Sequence, residues 1–124
     1  MDIVYINGLF TPLSNAQISI QDRGFCYGDG LFETLRASKG KIFRLEHHID
    51  RLFRSLSQIY IDLPMTRFEL MTVIQETLAR NSYKEAIIRL TVTRGNTQSN
   101  IHIDTDIPPT VVINIRAFTP LTKG

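Results

Sequence analysis

At 124 residues, 43% of them hydrophobic and 21% charged, the chain is sized for one domain with its own core and is too apolar for disorder. Its formal charge of +2, with no basic run, gives no footing for nucleic-acid binding, and no apolar run approaches the ~20 residues of a membrane span. One cysteine, Cys26, excludes an internal disulfide, and without a cationic leader at the start the expected setting is the cytoplasm.

The chain opens on a hairpin signal. Asn7-Gly8 lies between the apolar pairs Tyr5-Ile6 and Leu9-Phe10, which favours a two-residue turn joining antiparallel strands. Pro12, Ser14 and Asn15 interrupt the second strand, and residues 17–20 are expected to add a short edge segment with Ile18 and Ile20 on one face. Residues 21–36 are the stretch around which the chain is organised. Gly24, Gly28 and Gly30 interleave with Asp22 and Asp29, forcing a sharp polar bend, after which residues 31–36 read as a strand. Ordinary turn chemistry is the plain explanation of such a bend; presenting backbone and side chains to a small ligand is the functional one. Cys26, with no second cysteine near it, is expected to be a small packing residue rather than a nucleophile. In the strand, Leu31, Glu33 and Leu35 share one face and Phe32, Thr34 and Arg36 the other.

Ser38-Lys39-Gly40 then turns the chain into a short strand at Ile42-Phe43. Apolar residues at three- and four-residue steps predict a helix over 45–60, with Leu45, Ile49, Leu52, Phe53, Leu56, Ile59 and Tyr60 in its stripe. Arg51 and Arg54 are expected on its opposite, solvated face. Beyond Pro64, Thr66-Arg67-Phe68-Glu69 has the form of a capping box opening a second helix whose buried face is Phe68, Met71, Ile74 and Leu78, ending at Asn81-Ser82. Residues 86–94 alternate as a strand with Ile88, Leu90 and Val92 on one face and Ile87, Arg89, Thr91 and Thr93 on the other; a buried Arg89 would need an anionic partner. A long polar loop over 95–109 leads to a last strand over 110–118, with Val111, Ile113 and Ile115 inward. The order predicts an α+β fold, a mainly antiparallel sheet with two helices packed on one face.

Several chemistries find no support. His47, His48 and Asp50 are near neighbours on a helix and point ~100° apart, so no metal site is expected. Neither Gly-x-Ser-x-Gly nor a Gly-Lys-Ser/Thr phosphate loop occurs. Four stretches do resemble one family: Asp22-Arg23-Gly24, then Tyr27-Gly28-Asp29-Gly30-Leu31-Phe32-Glu33-Thr34-Leu35-Arg36, then His48-Ile49-Asp50-Arg51-Leu52, and Arg89-Leu90-Thr91-Val92-Thr93-Arg94-Gly95. Their identity and spacing are similar to the class IV aminotransferases, the fold-type IV enzymes dependent on pyridoxal 5'-phosphate. That family holds D-amino-acid aminotransferases, branched-chain aminotransferases and aminodeoxychorismate lyases.

The resemblance implies the small N-terminal domain of the D-amino-acid aminotransferase-like fold over residues 1–118, the start of a linker at 119–124, and a second domain outside this chain. In the family that second domain carries the Schiff-base lysine. Lys39, Lys41, Lys84 and Lys123 stand in no matching context, so no catalytic residue is expected here and the isolated chain is expected to be inactive. Arg51 matches the arginine that binds the cofactor's phosphate. Tyr27 and Phe32 match positions lining the substrate pocket, and Arg89 a position near the substrate carboxylate or the cofactor. Asn100 and His102 fall in the loop where D-amino-acid aminotransferases use an Arg-x-His pair, although the arginine is absent. The resemblance further implies amino-acid and 2-oxo-acid substrates and a homodimer. The reaction it implies is amino transfer, or alternatively β-elimination from aminodeoxychorismate to 4-aminobenzoate and pyruvate; the non-enzymatic alternative is a domain serving only as an association module.

Overall fold

Strand alternation and helix capping together account for most of the architecture. The structure, a computed structural model, describes residues 1–96 and 107–119. Strands β1 (Ile3–Ile6) and β2 (Leu9–Pro12) meet across Asn7 and Gly8, whose φ values of 49° and 94° make the primed turn that matches the twist of an antiparallel pair. With β3 (Gly30–Ser38), β4 (Lys41–Ile42), β5 (Glu85–Thr93) and β6 (Thr110–Ala117) they form one six-stranded sheet in the order β2-β1-β6-β5-β3-β4, every neighbouring pair antiparallel.

The helices α2 (Leu45–Gln58) and α3 (Arg67–Ala79) cover one face of this sheet, as the α+β reading expects. Beneath them Leu35, Ile88 and Ile115 stand in register across three strands, as do Leu31, Val92 and Val111. Ile49, Leu52 and Leu56 of α2 and Leu70, Ile74 and Leu78 of α3 close over them in a single buried core. Each such aliphatic side chain taken fully from water contributes about 1.5–3 kcal/mol. The capping box that opens α3 forms, Thr66 Oγ1 accepting from the Glu69 amide and the Glu69 carboxylate from the Thr66 amide. No helix among the described residues is long and apolar enough to cross a membrane.

Several expectations are corrected. Residues 17–20 form no strand, and the edge they were expected to supply belongs to β2. Tyr60 lies beyond the end of α2 with φ 59° and is 82% exposed, because the chain leaves the helix in a left-handed step that turns the ring outward. Phe68 is also exposed; Leu70 takes its place in the core, and Phe68 lines a hollow of about 790 Å³ with Ile42, Leu45 and Met71. The bend holds one turn of helix, α1 (Arg23–Tyr27), and Cys26 on that turn is exposed rather than packed, its thiol donating to the Ile20 carbonyl.

Candidate functional site

The bend is built by two carboxylates. Asp22, almost fully buried, caps α1 by accepting from the Gly24 amide at 2.8 Å, and its second oxygen accepts from the Thr110 hydroxyl. Gly28, left-handed at φ 66°, ends the helix one turn later. Asp29 Oδ2 then accepts from Arg23 Nε and from Arg94 Nε, each at 2.8 Å, while Arg94 Nη2 donates to the Ile59 carbonyl at 2.7 Å. One carboxylate therefore ties the bend to the end of β5, and through Arg94 to the end of α2.

Below the bend lies the face of the sheet that α2 and α3 leave open. Phe32, Thr91, Val112, Ile6 and Leu9 form one row across it, and Thr34, Arg89 and Asn114 the next. Arg89 is exposed, so it needs no buried anionic partner; its guanidinium stacks 3.8 Å from the centroid of the Phe32 ring. Tyr27, half exposed at the end of α1, is stacked in the same manner under Arg23. Between α1 and the sheet is a mostly apolar cavity of about 470 Å³ lined by Phe25, Leu31, Phe32, Thr91 and Val112. Beside it Thr34, Ile87, Arg89, Asn114 and Arg116 border a smaller hollow of about 240 Å³ with a mixed polar and apolar lining.

Arg51 lies on the exposed face of α2, as expected, but it is not simply solvated: it reaches across to the sheet, where Nε donates to Glu33 Oε2 at 3.0 Å and Nη2 to Oε1 at 2.6 Å. His48, one turn earlier on α2, shares the same Oε1 through Nδ1 at 2.7 Å. Glu33 is buried at the end of the row Glu33, Leu90, Ile113, Tyr5, Phe10, an acid where the pattern of the face is otherwise apolar or aromatic. Arg51 remains 52% exposed along its side chain. Because β4 pairs only with Ala37 and Ser38, the outer edge of β3 beside Glu33 has no strand partner among the described residues.

The structure thus brings Phe32 and Arg89 together on one face of β3, sets Arg51 on the other side of the same strand, and leaves Tyr27 on α1, stacked with Arg23. Phe32 and Glu33, adjacent in sequence, point to opposite faces. Asn100 and His102 lie outside the described residues. Sequence reasoning missed Glu33, Asp22, Asp29, Arg23 and Arg94 as parts of the site. The available signal was Glu33 itself, since a carboxylate between Leu31 and Leu35 on a core-facing edge requires a cation from the element packed above it.

Both central carboxylates have lowered pKa values. Burial would raise each, but hydrogen bonds and charge from Arg94 and Arg23 outweigh it at Asp29, and those from Arg51 and His48 outweigh it at Glu33. A depressed folded-state value means that the stability these groups contribute is fully present above the ordinary carboxylate range, about pH 4, and is lost as pH falls through the folded-state values. Urea unfolding at pH 7 and pH 3 is expected to show lower stability in acid, with Asp29→Asn flattening the dependence.

Known proteins resemble this chain in both sequence and fold. Residues 30–123 match the model of the family described as amino-transferase class IV. The D-alanine aminotransferase of Staphylococcus haemolyticus is 35% identical over 119 residues, which cover 95% of this chain and 42% of that protein. A Methanocaldococcus jannaschii protein, provisionally named a branched-chain-amino-acid aminotransferase, is 47% identical over 92 residues, 74% of this chain and 32% of that one. Among solved structures, the branched-chain aminotransferase of the thermophilic archaeon Thermoproteus uzoniensis, crystallised with norvaline, superposes with a TM-score of 0.85 at 28% identity, over 95% of this chain and 41% of that one. The chain therefore spans about two fifths or less of the length of these relatives.

Proposed function

The chain belongs to the class IV aminotransferase family, and from that membership we propose that it forms the small domain of a pyridoxal-phosphate-dependent enzyme transferring an amino group between an amino acid and a 2-oxo acid. The observation that carries the reading is the half-exposed Arg51, held by buried Glu33 on a strand that also presents Phe32 beneath Arg89.

The residues present fit a phosphorylated cofactor. A guanidinium has five N–H donors, of which Glu33 takes two, leaving three for a phosphate. When bound, pyridoxal phosphate supplies the electron sink that makes the α-carbon of an amino acid reactive. The work of this chain is to hold and exclude. Arg51 anchors the phosphate, and the ring faces of Phe32 and Tyr27 shield the substrate side chain from water. Arg89, already oriented by its stack on Phe32, receives a carboxylate. The lysine that would bond the cofactor, and the domain carrying it, are assigned in this reading to the remainder of the enzyme, as is association of two copies into a dimer.

The test uses the complete polypeptide loaded with pyridoxal phosphate. Amino transfer from a branched-chain amino acid or D-alanine to 2-oxoglutarate is the expected result; pyruvate release from aminodeoxychorismate would assign the lyase reaction instead, and neither activity would leave the association module. In the active enzyme Arg89→Met is expected to raise KM for the acidic substrate about tenfold while changing kcat little, the signature of a lost binding contact.

A further inference from the structure

Glu33 presents an electrostatic problem. If Arg51 receives a phosphate, as proposed above and on which this inference rests, then a carboxylate 2.6 Å from that arginine opposes the incoming anion. By simple charge counting the site would be better without it. The geometry points to a different role. Glu33 occupies the side edge of the guanidinium, Nε with one Nη2 hydrogen. The end edge, Nη1 with the second Nη2 hydrogen, has no hydrogen-bond partner among the described residues, and it offers a second two-pronged face to a tetrahedral anion.

We propose that Glu33 is a positioning residue that clamps the side edge of Arg51 so that its end edge is held ready for phosphate. A half-exposed arginine left to itself samples many rotamers, and each would have to be given up when the anion binds. Here that loss is taken during folding. The clamp is itself braced. The carboxylate ends a buried row of the sheet, and His48 Nδ1 on the same Oε1 keeps it from rotating away. His48 and Arg51 stand three residues apart on α2, so both reach one oxygen pair on β3 from a single helix face.

Charge counting and positioning predict opposite signs, which makes the proposal testable. Inorganic phosphate and pyridoxal phosphate are titrated into the protein freed of cofactor, and into Arg51→Ala, Glu33→Gln and Glu33→Asp, with affinity read by calorimetry. Glu33→Gln removes a negative charge and is expected to weaken phosphate binding about tenfold; Glu33→Asp keeps the charge but withdraws the fork and is expected to weaken it comparably. Binding lost in Arg51→Ala but retained or tightened in Glu33→Gln overturns the positioning role alone. Binding unchanged in Arg51→Ala overturns both this role and the phosphate-anchor reading. A second measurement needs no variant at the buried acid. The Arg51 Nε–H resonance of the unsubstituted protein is expected to be sharp, shifted and retained on adding phosphate. Its merging with the other arginine signals, or its loss when phosphate binds, would show an arginine that swings off Glu33 and would overturn the proposal.

Discussion

Replacing Asp29 by alanine is expected to remove about 3 kcal/mol of folding stability, because it leaves two largely buried guanidinium groups facing each other without their shared anion. Arg23 and Arg94 are only 13% and 12% exposed along their side chains, and both use Asp29 Oδ2. Arg23 is the more vulnerable, since its Nη1 is already buried without a partner among the described residues. Thermal unfolding should show the midpoint falling by about 10 °C or more, with the bend loosening first. Asp62→Ala, at an exposed position, serves as the control and should stay within about 0.5 kcal/mol of the unsubstituted protein. A loss at Asp29 no larger than at Asp62 would mean that the bend stands without its carboxylate.

Gly95→Ala is expected to cost a similar amount, about 3 kcal/mol, from two sources that can be separated. Gly95 has φ 104°, where a residue with a Cβ is strained, and the added Cβ would fall 2.2 Å from the Pro108 carbonyl oxygen, a backbone atom that cannot rotate aside. Gly8 has φ 94° with open space around the same position. Gly8→Ala should therefore report the strain alone, about 1 kcal/mol, and the difference between the two variants measures the clash. Because the Gly95 carbonyl accepts from the Arg23 amide at 2.9 Å, the change should also weaken the attachment of α1. Equal costs at the two glycines would indicate that the chain at Pro108 yields.

How much could be read in the sequence depends on how local the cause is. The two-residue turn at Asn7-Gly8 and the box at Thr66 are set by contacts a few residues apart, and both form. The alternation of Ile88, Leu90 and Val92 identifies a core face because the strand period of two leaves no other choice. Tyr60 and Phe68 misled because spacing alone does not show where a helix starts or stops; each sits at a helix end, where the backbone and not the period decides the direction of the ring. The turn of helix at Arg23 was hidden because five residues with a glycine among them have no apolar period, although Asp22 and Gly28 were in place as its caps. Arg51 was legible as a phosphate-binding candidate through its motif, but its direction depended on Glu33, 18 residues away on another element. No helical wheel contains that partner.

The position of α2 between these features has a mechanical consequence. At mid-helix, Arg51 is fastened to β3; just past its C-terminal end, Arg94 grips the Ile59 and Tyr60 carbonyls while holding Asp29. Arg51 and the glycine bend are thus geared through one stiff rod, and a tilt of that rod shifts both at once. Amide hydrogen exchange should find residues 45–60 and 22–30 opening together, so a ligand seated at either end would quiet the other.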